Sequence, residues 1–120
     1  MTFDRIETYI LSDGLDDWVM LGAVAEAAVA FGLAKSTLDA RASLIGAVER
    51  LYSQRLIIVG EVLGDGKFHA WEGSAAKILG RLELLIAKDD IDEWYAAAWI
   101  DLTELGVITA TALGGRYGLA

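Results

Sequence analysis

Residues 56–73, LIIVGEVLGDGKFHAWEG, decide the fold. Leu56 to Leu63 is apolar and rich in β-branched residues without a helical cap. Gly64, Asp65 and Gly66 then supply a tight turn, and Phe68 to Trp71 resumes an extended aromatic pattern. The stretch predicts a β-hairpin. Immediately before it, Ser36 opens the run STLD, with Asp39 three residues on, a capping-box arrangement with Asp in place of the usual Glu. Leu38, Leu44, Ile45, Val48, Leu51 and Tyr52 follow at three- and four-residue spacing, which predicts a helix to about Gln54. Arg41, Glu49 and Arg50 fall on its other face.

Working outward toward the start, Phe3, Ile6 and Ile10 predict a first helix over about Phe3 to Leu11, ending near Ser12-Asp13-Gly14. Asp16 or Asp17 is expected to cap an Ala-rich second helix that stops at Gly32. The run from Trp18 to Ala34 is apolar apart from Glu26 and sits at the short edge of a membrane-spanning length. Its central carboxylate and weakly lipophilic Ala and Gly content favour a buried helix instead. Small residues at positions 22, 23, 27 and 30 let another helix approach closely, within the chain or from a second subunit.

Toward the end, Ser74 caps a helix with Ile78, Leu82, Leu85 and Ile86 inward and Lys77, Arg81, Glu83 and Lys88 outward. The acidic run Asp89 to Glu93 follows, with Asp90 or Asp92 able to cap a short turn carrying Trp94. Ala97 to Leu102 alternates as a third strand, and Thr103 can cap a turn or helix beginning at Glu104. Residues from about 112 to 120 are Gly-rich and expected to form a flexible tail.

Helix, helix, turn, helix, hairpin, inserted helix and returning strand give an α+β, winged-helix-like order: helices plus a small antiparallel sheet, with a helix inserted before the last strand. With no Pro and no low-complexity linker, one domain over residues 1–120 is expected. The chain also resembles a group of small bacterial winged-helix-like proteins with no assigned activity. The resemblance is carried by Asp16, Asp17 and Trp18, by Phe68 and Trp71, by the helix from Ser74, and by Trp99 through Thr103 with Gly106. It covers roughly residues 16 to 106 and implies the fold, bringing no catalytic residue with it.

Composition narrows the function. The chain has 18 acidic and 10 basic residues, a formal charge of -8, and 55% hydrophobic residues. Its mean hydropathy of +0.42 suggests a buried interface, in a dimer or a complex, through the Ala-rich helix or its neighbours. The absence of Cys removes disulfides, thiolate metal sites and cysteine nucleophiles, and fits a cytoplasmic location. Met1 leads into Asp4, Arg5 and Glu7 rather than a basic segment and apolar run, so no secretory leader is expected.

Two functions compete. The first is a noncatalytic protein-interaction module, such as an acidic immunity or antitoxin-like inhibitor of a basic partner, with Asp89, Asp90, Asp92, Glu93, Trp94 and Tyr95 as the contact surface. Trp94 and Tyr95, beside the acidic run, are expected to be exposed, whereas Trp18, Trp71 and Trp99 are expected in the core. The alternative is a DNA-binding transcriptional regulator that reads a groove with the Lys35 to Arg55 helix, using Lys35, Arg41, Arg50, Arg55 and, on the hairpin, Lys67. A charge of -8 disfavours it, because most nonspecific affinity comes from neutralising phosphates. No enzyme, cofactor or metal site is expected. His69 has no nucleophile or acid at a familiar spacing, and Asp89 to Glu93 lacks the spaced ligands and central Gly of a calcium loop. Neither Gly-Asp-Gly nor Leu-Gly-Gly continues as a phosphate loop.

Overall fold

The computed structural model describes residues 2–114. Among these residues, five helices and four strands run α1 (Arg5–Gly14), β1 (Val19–Met20), α2 (Leu21–Ala30), α3 (Arg41–Ser53), β2 (Ile57–Val62), β3 (Phe68–Ala70), α4 (Ala75–Ile86), β4 (Trp99–Leu102) and α5 (Glu104–Ala112), with a 3-10 turn at Ile91–Glu93 after α4. The sheet is wholly antiparallel in the order β1-β4-β2-β3. The fold is α+β and winged-helix-like. The hairpin leaves β3 at one edge, and β4, returning after α4, inserts between β1 and β2.

Local chemistry sets these boundaries. Asp4 and Glu7 form a reciprocal capping box at the start of α1, each carboxylate accepting the other's backbone N–H, so the helix begins at Arg5 rather than Phe3 and runs on to Gly14. Asp16 and Asp17 do not cap α2. Val19 and Met20 pair with Ile100 and Trp99 first, and the leading N–H groups of α2, on Leu21 and Gly22, donate to the carbonyls of Ala98 and Tyr95. Backbone from the far end of the chain thus satisfies donors that a side-chain cap would otherwise take. Ser36 accepts the Asp39 N–H as expected, but Asp39 accepts the Lys35 N–H, and the resulting turn leads into α3 at Arg41.

The end of α3 has a feature that Gly usually provides. The Arg55 N–H donates to the Tyr52 carbonyl and the Leu56 N–H to the Leu51 carbonyl, a Schellman closure that holds Arg55 at φ 62. The Thr103 hydroxyl, itself the cap of α5, donates to the Arg55 carbonyl at 2.7 Å. Ser74 caps α4 by accepting the Lys77 N–H.

Ile57, Val59, Ile100 and Leu102 alternate onto one sheet face and are buried against the helices. They join α1, α2, α3 and α4 through Ile10, Leu21, Val24, Leu44, Leu51 and Leu82 in one cluster of buried side chains that extends to Ala110. α1, α2 and α3 pack on one another, α4 packs on α3, and α5 packs on α1. Ala112 closes α5; the rest of the expected tail, from residue 115, lies outside the described residues. α2 is ten residues long, and no helix among the described residues is long and apolar enough to cross a membrane.

Candidate functional site

α3 commits its cations inside the fold. The Arg41 guanidinium donates to the carbonyls of Leu38 (3.0 Å), Ile86 (3.2 Å) and Ala87 (3.3 Å), closing the C-terminal end of α4, with Asp89 at 3.8 Å. Arg50 binds Asp4 at 2.7 Å and stands 3.5 Å from Glu7, a carboxylate that is 5% exposed. Burial makes Glu7 need a cation, so Arg50 ties α3 to the start of α1. The outward residues Ala42, Ser43, Glu49, Arg50 and Ser53 therefore offer no uncommitted positive charge.

Lys35, Arg55 and Lys67 are exposed and form no ion pair among the described residues. They do not converge. Lys35 precedes α3 and Arg55 follows it, and a 13-residue helix spans about 20 Å. Lys67 sits at the hairpin tip, where its N–H donates to Asp65. His69 Nε2 lies 2.9 Å from the same carboxylate. The Lys67 N–H first, and His69 second, hold Asp65 below its ordinary value. Sequence reading overlooked this pair because the partners lie on opposite sides of the turn.

The acidic run is solvated. Asp89 is 94% exposed in its side chain, Asp90 caps the 3-10 turn by accepting the Asp92 N–H, and Asp92 and Glu93 face water. Its aromatic neighbours are placed otherwise than expected. Trp94 is 0% exposed and donates its indole N–H to the Lys88 carbonyl at 3.2 Å. The 3-10 turn reverses the chain, with the N–H groups of Trp94 and Tyr95 donating to Ile91, so the carboxylates stay outside while Trp94 enters the core. Tyr95 is half-buried, lies over Gly22 and donates its hydroxyl to Glu26. That bond, then desolvation, raises the Tyr95 hydroxyl above its ordinary value.

Trp71 is buried as expected, but Trp18 and Trp99 are only half-buried. Trp18 lies 5.8 Å from Phe68 and 6.5 Å from Trp99, between ring centres, forming an aromatic cluster at the sheet. The larger apolar exposure is on α5. Gly106 and Ala110 are its buried residues, whereas Leu105, Val107 and Ile108, with Leu113 just beyond, are 40 to 65% exposed. Gly106 permits the close approach: a Cβ there would stand 2.0 Å from the Leu56 carbonyl oxygen. The signal was present in ELGVITATAL, where small residues four apart mark one narrow seat and large apolar residues occupy other directions.

Among the described residues, no group of three or more His, Asp or Glu side chains is placed to hold a metal ion. The fold and these surfaces define a winged-helix-like α+β chain with a neutralised third helix and an apolar surface on α5. No family model, curated protein or solved structure matches the chain.

Proposed function

We propose that the protein is a noncatalytic interaction module of the bacterial cytoplasm, an acidic inhibitor-like domain that binds a basic partner protein. The observation that carries this reading is the apolar face of α5. Among the described residues, four of the seven exposed large hydrophobics lie on this helix or one residue past it. Several large apolar side chains exposed on one short helix mark a contact surface. The formal charge of -8 and the solvated Asp89 to Glu93 run favour a basic partner, since complementary fields speed encounter and fix orientation.

DNA regulation is the second reading, and Arg55 favours it. An exposed Arg in a left-handed backbone conformation is uncommon and marks a position for functional scrutiny. Arg41 and Arg50, its expected companions, are engaged elsewhere. Fluorescence anisotropy with a labelled random-sequence duplex distinguishes the readings. Under the protein-interaction reading, no binding tighter than about 10⁻⁴ M is seen at physiological salt. Micromolar binding whose logarithm falls linearly with the logarithm of salt concentration would overturn it.

A further inference from the structure

Along α4, Lys77, Arg81 and Leu84 point outward at spacings of four and three residues, and Lys88 follows two residues past the end of the helix. Arg81, Leu84 and Lys88 line a cleft of about 380 Å³ together with Glu61, Trp71 and Leu85. Its apolar wall consists of Trp71, the half-buried Leu85 and Leu84, which at 77% is the most exposed large hydrophobic side chain among the described residues. Neither cation is held by a short or buried ion pair. Arg81 lies over the Trp71 ring, with its guanidinium carbon 3.9 Å from the ring centre. Its carboxylate neighbour, Glu61, stands at 3.8 Å with both side chains open to water, a pair weak enough to yield to another acceptor. Lys88 has no ion pair among the described residues.

A third observation is independent of these charges. Trp71 is 8% exposed, and its indole N–H is buried without a hydrogen-bond acceptor. Buried donors are normally satisfied, yet a residue that lines the cleft carries a donor with no acceptor among the described residues. An unfilled donor beside two available cations calls for a negatively charged oxygen.

The geometry points to a binding site for a small organic monocarboxylate with an apolar body, held between α4 and the hairpin. Arg81, lifted from the Trp71 ring, and Lys88 receive the carboxylate together with the indole N–H, while Leu84, Leu85 and the indole face receive the body. A cleft of this volume falls within the range of small-molecule sites. A single negative charge also suits a chain of charge -8 better than a polyacid, which the surrounding carboxylates repel. The site is separate from α5 and does not rest on the proposed protein interaction.

Octanoate is the probe. Titrated into ¹⁵N-labelled protein, it is expected to move the Trp71 indole N–H resonance saturably, the resonance being assigned by its loss in Trp71→Phe. Equal concentrations of 1-octanol leave it in place. Removing a charge-assisted contact by Arg81→Gln or Lys88→Gln weakens octanoate binding by about tenfold. The other indole resonances report whether each variant is folded, and Lys88→Gln decides alone if Arg81→Gln is not. Absence of a saturable shift, an equal response to octanol, or unchanged binding in the folded variants would overturn the site.

Discussion

At Gly22 a missing side chain decides the local structure. A Cβ there would lie 2.0 Å from the Tyr95 ring, so Gly22→Ala forces the ring or α2 to move. A cost of about 1–3 kcal/mol is expected for this overpacking, read as a lower urea midpoint with an unchanged slope. The displaced ring also carries the Tyr95–Glu26 hydrogen bond. Because the fold favours the neutral hydroxyl and raises its pKa, this contribution is complete below the ordinary tyrosine value of 10.0 and is lost as pH rises through the raised value. An ultraviolet titration is expected to show Tyr95 ionising above that value, and Glu26→Gln to bring it back down. Ionisation of Tyr95 at or below 10.0 in the wild type would contradict the bond. Neither contact was legible in the sequence: Gly22 and Glu26 stand four apart on α2, but nothing local brings Tyr95, 69 residues past Glu26, onto that face. Trp94 shows the same limit: four nearby carboxylates suggested exposure, whereas one 3-10 turn sends the carboxylates and the indole in opposite directions.

At the scale of elements, legibility followed the range of the forces. The hairpin, α4 and the cap at Thr103 are local, and their residues announced them: Gly66 adopts φ +74, while Ser74 and Thr103 accept the N–H groups three residues on. β1 was missed because two residues carry no periodic signal and become a strand only by pairing with β4. The start of α2 was misread for a related reason, its donors being satisfied by carbonyls more than seventy residues away. The end of α3 yields a prediction at this scale. Arg55 occupies a left-handed position that Gly takes without strain, so Arg55→Gly is expected to stabilise the protein by about 1 kcal/mol, raising the thermal midpoint by several degrees. The same substitution removes an exposed cation. It leaves partner binding unchanged under the protein-interaction reading, whereas DNA binding through Arg55 would weaken despite the greater stability.

For the whole molecule, the winged-helix-like order was legible from hydrophobic periodicity, but the deployment of charge was not. Arg41 and Arg50 counted in the sequence as a reader's cations; in three dimensions one closes α4 and the other serves a buried Glu7. Meanwhile α5 shows an apolar surface that the linear reading assigned partly to a frayed tail. The most direct measurement is nuclease-treated affinity capture from native lysate with wild type and Ile108→Asp, followed by reconstitution from the purified partner. Ile108 is 65% exposed, so the variant is expected to fold normally while burying a carboxylate in any complex that uses this face. The predicted result is a stoichiometric basic protein that survives nuclease, rebinds wild type in isolation and binds Ile108→Asp at least about a hundredfold more weakly, as a central interface anchor would. Enriched DNA recovered without nuclease and lost at raised salt, with no protein retained after nuclease and no effect of Ile108→Asp, would contradict it.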